Sequence, residues 1–266
     1  MTVNNLDNLN MLDPFRIEDS RSQLAKTKNY KLLSKTYSNK IPELPNFNTS
    51  ELWNTKNFIS RITNKTNPMA FDRINIVSKW ITQRSHISRI LDIGFGPADI
   101  EQKLWKFRNL IHLRGIDISE KAVDQAKKKF KSWNFQKKSI ENTNQKENYF
   151  DCILALEVLE HIKPSEILNI LKNILKLLRK DGVLIVSVPV NEGLEDMVNI
   201  MRNPNAHVRV YTKDLIIAEL EMCGYKILKI KVLYAFHSLY KIKSIVCYLF
   251  PRIRQPNNII ILAQKL

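Results

Sequence analysis

The chain has 266 residues, 44% apolar and 26% charged, enough for one substantial core with additions. Its formal net charge of +16 favours anionic partners in general, yet the lysines are spread among asparagines and isoleucines and form no basic block with interleaved aromatics, so nucleic acid is not expected to bind. No basic residue precedes Arg16, and no run reaches the roughly 18 apolar residues of a membrane span, so we expect a cytoplasmic protein.

Residues 1 to 68 are rich in Asn, Lys, Ser and Thr, with prolines at 14, 42, 45 and 68, and read as a partly irregular N-terminal helical arm. A domain spanning 69 to 266 follows. Phe71, Ile74, Val77, Trp80 and Ile81 recur at three- and four-residue steps, the buried stripe of an amphipathic helix. A strand over Ile90 to Ile93 leads into "GFGPADIEQKL", a turn opening a helix that runs to about Phe107. Next come a strand over Ile111 to Ile116, a helix capped by Ser119, and a short strand near Phe135. Phe150 to Leu156 is a nearly continuous apolar run, as in a parallel strand buried on both faces. Pro164 is placed at a helix start, with Ile167, Leu168, Leu171, Ile174, Leu175 and Leu178 on its apolar stripe. "KDG" turns the chain into a strand over Val183 to Val188. A helix from Lys213 to Cys223, capped by Thr212 and stopped by Gly224, precedes the last strands at Tyr225 to Val232 and Ile259 to Ala263. This alternation predicts an α/β fold with a doubly wound, mostly parallel sheet, whose ligands sit beyond the carboxyl ends of the strands. Three cysteines, odd in number and far apart, read as reduced core thiols.

The two glycines at 94 and 96 sit where a ligand must come close to the backbone. A phosphate loop needs a lysine and a hydroxyl after its last glycine, and Gly96 is followed by Pro97, Ala98 and Asp99. A dinucleotide site wants a small residue at Asp99, where an acid repels pyrophosphate. A ligand with a cationic end and no phosphate suits the acid Asp92 just before the turn. A nicotinamide oxidoreductase stays as a third reading, separable by which cofactor binds.

The stretch Ile90, Leu91, Asp92, Ile93, Gly94, Phe95, Gly96 resembles the first motif of the class I S-adenosylmethionine-dependent methyltransferases, in particular the small-molecule branch that includes ubiquinone and menaquinone biosynthesis enzymes. "LRGIDISEKAVDQAKKKF", "YFDCILALEVLEHI", "LLRKDGVLIVSVP" and "HVRVYTKDLIIAELEMCGYKI" resemble later motifs in the family's order, across roughly residues 71 to 236, and "NNIIILAQKL" resembles its last strand. The resemblance implies a seven-stranded Rossmann-like sheet and S-adenosyl-L-methionine as cofactor. It implies cofactor contacts at Asp92, Gly94, Phe95, Gly96, Asp117, Ile118, Ile140 and Leu156, with Asp117 on the two ribose hydroxyls. Two departures stand out: Ala98 where the family often has a third glycine, and Ser139 in place of the acid that commonly contacts adenine, which leaves that ring to the backbone at Ile140 and apolar walls.

Methyl transfer from a sulfonium needs alignment and exclusion of water more than catalytic side chains. For a hydroxyl acceptor a base is useful, and His161 and His207 are the candidate catalytic residues, each with a simple loop-anchoring role as the alternative. Glu157 and Glu160 have no second acidic cluster to match them, so no metal is expected. The place of the Asn/Asp-Pro-Pro-aromatic tetrad of base-methylating enzymes reads "LEVL", against methylation of that kind. Residues 237 to 256 form an insertion mixing apolar and basic residues, suited to an anionic membrane surface or to a lid. The expected acceptor is a small-molecule, lipid-like or glycan-linked hydroxyl. A non-catalytic cofactor-binding module and a methyltransferase acting on RNA or protein are the other readings.

Overall fold

The computed structural model describes residues 49–54, 67–141, 145–192, 206–236 and 238–266. Most of the expected arm, residues 1–48 and 55–66, lies outside the described residues. The short helix α1 (Ser50–Trp53) is its described part. Helix α2 (Pro68–Thr82) is started by Asn67, whose side chain accepts from the N–H groups of Met69 and Ala70. Val77, Trp80 and Ile81 are buried as the stripe predicts, but Phe71 is exposed, with the Lys103 ammonium 4.8 Å from its ring centroid.

Strands β1 (Arg89–Ile93), β2 (His112–Asp117), β3 (Asn134–Lys137), β4 (Phe150–Leu156) and β5 (Leu178–Pro189) alternate with helices α3 (Asp99–Leu104), α4 (Glu120–Lys129) and α5 (Ile167–Leu177). Helix α6 (Lys213–Met222), strand β6 (Tyr225–Leu233), helix α7 (Tyr240–Leu249) and strand β7 (Asn258–Lys265) complete the chain. The sheet has seven strands in the order β3-β2-β1-β4-β5-β7-β6, with β7 antiparallel to both of its neighbours. From β1 the chain moves outward to β2 and β3 on one side, then returns to β4 on the other. That reversal opens a crevice between the carboxyl ends of β1 and β4, the usual ligand position in such sheets.

Each strand contributes to two cores because successive side chains point to opposite faces. Leu91 and Ile93 of β1 join Ile153 and Ala155 of β4 under α5 and α6. Ile90 joins Cys152 and Leu154 on the other face with Val77 and Ile81 of α2. Cys152, Cys223 and Cys247 are buried free thiols.

Three local expectations are corrected. Pro164 does not start α5; it lies in a turn closed by the N–H groups of Glu166 and Ile167 on the Lys163 carbonyl, and the helix begins at Ile167. The helix after the glycine turn ends at Leu104 and tightens into a 3₁₀ turn over Trp105–Phe107. "KDG" does not precede β5 but interrupts it: pairing with β4 jumps from Phe150↔Leu178 to Cys152↔Val183. Asp181, not Gly182, takes the positive φ there, while a Cβ on Gly182 would stand 2.9 Å from the Arg179 carbonyl oxygen.

Candidate active site

All ten residues singled out from the sequence, Asp92, Gly94, Phe95, Gly96, Asp117, Ile118, Ile140, Leu156, His161 and His207, line one cavity of about 850 Å³ at the carboxyl ends of β1, β2 and β4. The glycine turn shapes its floor. Gly94 has φ +68°, its N–H donates to the Ile116 carbonyl at 2.8 Å, and a Cβ there would meet Val158 Cγ2 at 2.6 Å. Gly96 has φ +51° with nothing within 4 Å of the Cβ position, so its bareness keeps cavity space open. Ala98 adopts φ 60° as the residue before α3, a left-handed conformation that glycine holds without strain. Phe95 faces the core as well as the cavity, its ring edge-on to Phe135 at 5.1 Å.

Asp117 ends β2 and ties the turn together. One carboxylate oxygen accepts from the Gly96 N–H at 2.9 Å, the other from the Ser119 N–H at 2.8 Å. A carboxylate has about four lone-pair sites, so acceptor capacity remains for two hydroxyls. Burial raises the Asp117 carboxyl above its ordinary value, and these backbone bonds oppose that rise. Asp92 is 2% exposed, and burial pushes its carboxyl well up, with the neighbouring Glu101 adding to the rise. Glu101 itself is pushed up to about 7, burial again being the main cause. This pairing is invisible in the sequence, where Glu101 reads as an ordinary acid in the first turn of α3.

Past β4 the cavity turns polar. Glu157 takes φ 57° and connects four elements. Its Oε1 accepts from Ser187 Oγ of β5 and Asn258 Nδ2 of β7, both at 2.8 Å, and its Oε2 pairs with Arg73 of α2 at 2.9 Å. A positive φ at a bulky residue is strain of the kind held at functional sites. The next turn, a 3₁₀ segment over Leu159–His161, is joined to residues 206–208. Val208 N–H donates to the Glu160 carbonyl at 3.0 Å, and His161 Nδ1 lies 3.0 Å from the Ala206 carbonyl oxygen. These two bonds bring the two distant segments together, so the rings of His161 and His207 stand 5.0 Å apart. His207 Nδ1 bonds Glu192 Oε2 at 2.6 Å. Burial, then the nearby His207, lowers His161 to about 4, so its imidazole is neutral at pH 7.

The arm also reaches the cavity, which composition alone did not show. Trp53 of α1 lines it and meets the His161 ring edge-on at 4.9 Å. Ser50 Oγ donates to the Ile118 carbonyl at 3.0 Å, and Ser119 Oγ to Asn54 Oδ1 at 2.8 Å, which docks α1 beside the end of β2. At the expected adenine end, Ser139 is hydrogen-bonded to Glu141, and both line the cavity. An acid therefore stands two residues beyond the position where the family motif puts one.

Residues 90–182 match the family model described as a methyltransferase domain. An uncharacterized protein of Methanocaldococcus jannaschii is 29% identical over 191 residues, covering 70% of this chain and 76% of that protein. The malonyl-[acyl-carrier protein] O-methyltransferase of Bacillus cereus is 24% identical over 58% of this chain and 60% of its own length. The ubiquinone biosynthesis O-methyltransferase of Coxiella burnetii is 28% identical over 43% of this chain and 48% of its own. Among solved structures, the N-methyltransferase NodS of Bradyrhizobium japonicum in complex with S-adenosylhomocysteine superposes with a TM-score of 0.58 at 16% identity, over 89% of this chain and 98% of that one. A methyltransferase of Archaeoglobus fulgidus gives 0.55 at 19% identity, over 72% and 94%. The chain thus carries a match to a methyltransferase domain that begins in β1 and ends in β5, on the fold of the S-adenosylmethionine-dependent methyltransferases.

Proposed function

We propose that the protein transfers the methyl group of S-adenosylmethionine to a hydroxyl of a small, lipid-like or glycan-linked acceptor. The observation that carries this reading is the shared cavity: the glycine turn and Asp117 border one part of it, and Glu160, His161 and His207 border another. Asp117 suits the ribose hydroxyls, the turn over Gly94–Gly96 and Leu156 suit the methionine part, and Ile140 with its neighbours suits the adenine. An acceptor hydroxyl must lose its proton as it attacks the methyl carbon, and a group of two imidazoles and a carboxyl is apt for that loss. The two named relatives are both O-methyltransferases, which favours oxygen over nitrogen. The test is to incubate the protein with S-adenosylmethionine and an extract of cells lacking it, then search by mass spectrometry for a species heavier by one methylene. An O-methylated product is expected. Binding of S-adenosylmethionine without its consumption, or a product methylated on nitrogen, would contradict the reading.

The lipid-like class is supported by α7. Leu239, Ile242, Ile245, Leu249, Phe250 and Ile253 recur along one side of this segment and are all exposed, with Leu249 at 69% and Phe250 at 60%. Lys241, Lys243, Arg252 and Arg254 accompany them, and residues 237–256 contain no acid. The opposite side is anchored, since Tyr240, Ser244 and Cys247 are buried and Tyr240 meets Asp72, the neighbour in α2 of the cavity-lining Arg73. A basic amphipathic helix of this kind suits the interface of an anionic bilayer. Liposomes with anionic lipid should sediment the protein at low salt and release it as salt rises. Replacing Leu249 and Phe250 by serine should abolish sedimentation with cofactor binding intact. Indifference to liposomes would turn the acceptor class toward soluble metabolites.

A further inference from the structure

We propose that Glu160, His161 and His207 hold a first-row divalent cation beside the acceptor, so that the two histidines act as metal ligands and not as proton acceptors. This deepens the O-methylation reading above and rests on it.

Glu160 carries the argument. Its side chain is completely buried at the cavity wall, yet neither carboxylate oxygen has a hydrogen-bond partner among the described residues. Leaving such a group unpaired is costly, the more so if it is charged. A cation in the cavity would remove that cost.

The histidines are oriented to supply the rest. A backbone carbonyl can only accept, so His161 Nδ1, 3.0 Å from the Ala206 oxygen, carries the ring proton and Nε2 holds the lone pair. His207 repeats the arrangement with a carboxylate: Nδ1 faces Glu192 Oε2 at 2.6 Å, and Nε2 lies 3.9 Å from Glu160 Oε1. That separation is too long for a hydrogen bond, and two metal bonds of about 2.1 Å would span it. One ligand atom from each of the three residues lies within 4.8 Å of the others. Imidazoles fixed through Nδ1 by a carbonyl and a carboxylate are typical of ligating histidines, whose orienting partners set the tautomer.

Glu157, in the same loop, is not part of the set, because Ser187, Asn258 and Arg73 already occupy its carboxylate. Two imidazoles and one carboxylate suit Mn²⁺, Fe²⁺, Co²⁺ or Zn²⁺ better than Mg²⁺ or Ca²⁺, and leave positions open for an acceptor oxygen. An acceptor hydroxyl bound there would release its proton to solvent more readily. Its oxygen would then form a bond to the methyl carbon as the carbon–sulfur bond breaks, with the electron pair left on sulfur. The balance is alcohol plus sulfonium giving ether, thioether and one proton. The expectation of no metal came from looking for a second acidic cluster, whereas the distant ligand is a histidine.

The test is titration of the full chain with Mn²⁺ alone, reading free ion by electron paramagnetic resonance. One saturable site per chain is expected. Glu160→Gln should weaken it at least tenfold, with S-adenosylhomocysteine affinity unchanged by calorimetry. Should that variant fail to fold, Glu192→Gln, which loosens only the orientation of His207, should weaken Mn²⁺ by roughly 10–100-fold. Absence of saturable binding, or binding indifferent to both substitutions, overturns the cation site. A chain that methylates its acceptor in EDTA overturns it too and leaves O-methylation standing. A chain that binds Mn²⁺ through these residues but transfers no methyl keeps the site and refutes the proposed function.

Discussion

The two edges of the parallel sheet use buried acids in opposite ways. At the amino edge, Asp151 of β4 receives the N–H groups of Ser88 and Arg89 at 2.9 and 2.8 Å, the Ser88 hydroxyl at 3.0 Å, and the guanidinium groups of Arg89 and Arg179 at 2.9 and 2.6 Å. Burial acts to raise its carboxyl, but the Arg89 and Ser88 donors prevail and hold it at about 2. At the carboxyl edge, Asp92, Glu101, Asp117 and Glu160 are equally hidden, and burial raises all four. An acid with its donors in place stabilises the fold, whereas buried acids with acceptor capacity to spare mark a candidate ligand site.

The largest effect should come from the satisfied edge. Asp151→Ala leaves two backbone N–H groups and two guanidinium groups without their acceptor and should cost about 2–4 kcal/mol in denaturant unfolding. S-adenosylhomocysteine affinity should be unaltered under conditions where the variant is folded. A large loss of affinity would show that the two edges are not separable.

At the other edge the pattern should reverse. Asp117→Ala removes charged hydrogen bonds of roughly 1.5–3 kcal/mol each, so calorimetry should find cofactor affinity reduced by about 10–100-fold with the fold retained. Unchanged affinity would mean that the ribose is held elsewhere.

The pH dependence sharpens the contrast. Asp151 lies below its ordinary 3.8, so its contribution is whole above about pH 4 and fades as pH falls toward 2. Glu101 lies above its ordinary 4.5, at about 7, so the stability linked to it is whole below about pH 4.5 and is lost as pH rises through 7. Glu101→Gln should therefore flatten the decline in stability between pH 4.5 and 7 in urea titrations while leaving the acid limb in place. A decline as steep as in the wild type would assign it to other groups.

The smallest effect concerns the turn between the edges. Ala98→Gly relieves a left-handed conformation at φ 60° and should raise stability by up to about 1 kcal/mol, read as a small increase in melting temperature. A fall would show that the Ala98 methyl contributes packing that outweighs the strain.

The fold was legible because its signals are local. Strand runs, the paired glycines and the caps at Ser119 and Thr212 each act within a few residues, and each has its expected place in the structure. The residues expected to hold the cofactor come together in one cavity for the same reason, since most of them lie at or next to the ends of β1, β2 and β4. What escaped is what only tertiary contact assembles. Glu101 looks like a helix-start acid until β1 buries it against Asp92. Glu157 gains its role from Ser187, Asn258 and Arg73, partners on three different elements. Trp53 sits in a stretch whose composition reads as irregular, and Glu192 becomes meaningful only when His207 folds onto it. Phe71 matched the helical period yet faces outward, because periodicity assigns a face and not how far the core extends along it.

The central claim is that the carboxyl edge of β1, β2 and β4 binds the cofactor with its reacting sulfur toward the polar group beyond β4. A crystal structure with S-adenosylhomocysteine tests it most directly. The account predicts both ribose hydroxyls on Asp117, the homocysteine along Gly94–Gly96 and Leu156, and the sulfur facing Glu160, His161 and His207. A ribose that does not touch Asp117, or a sulfur turned away from those three residues, would contradict it.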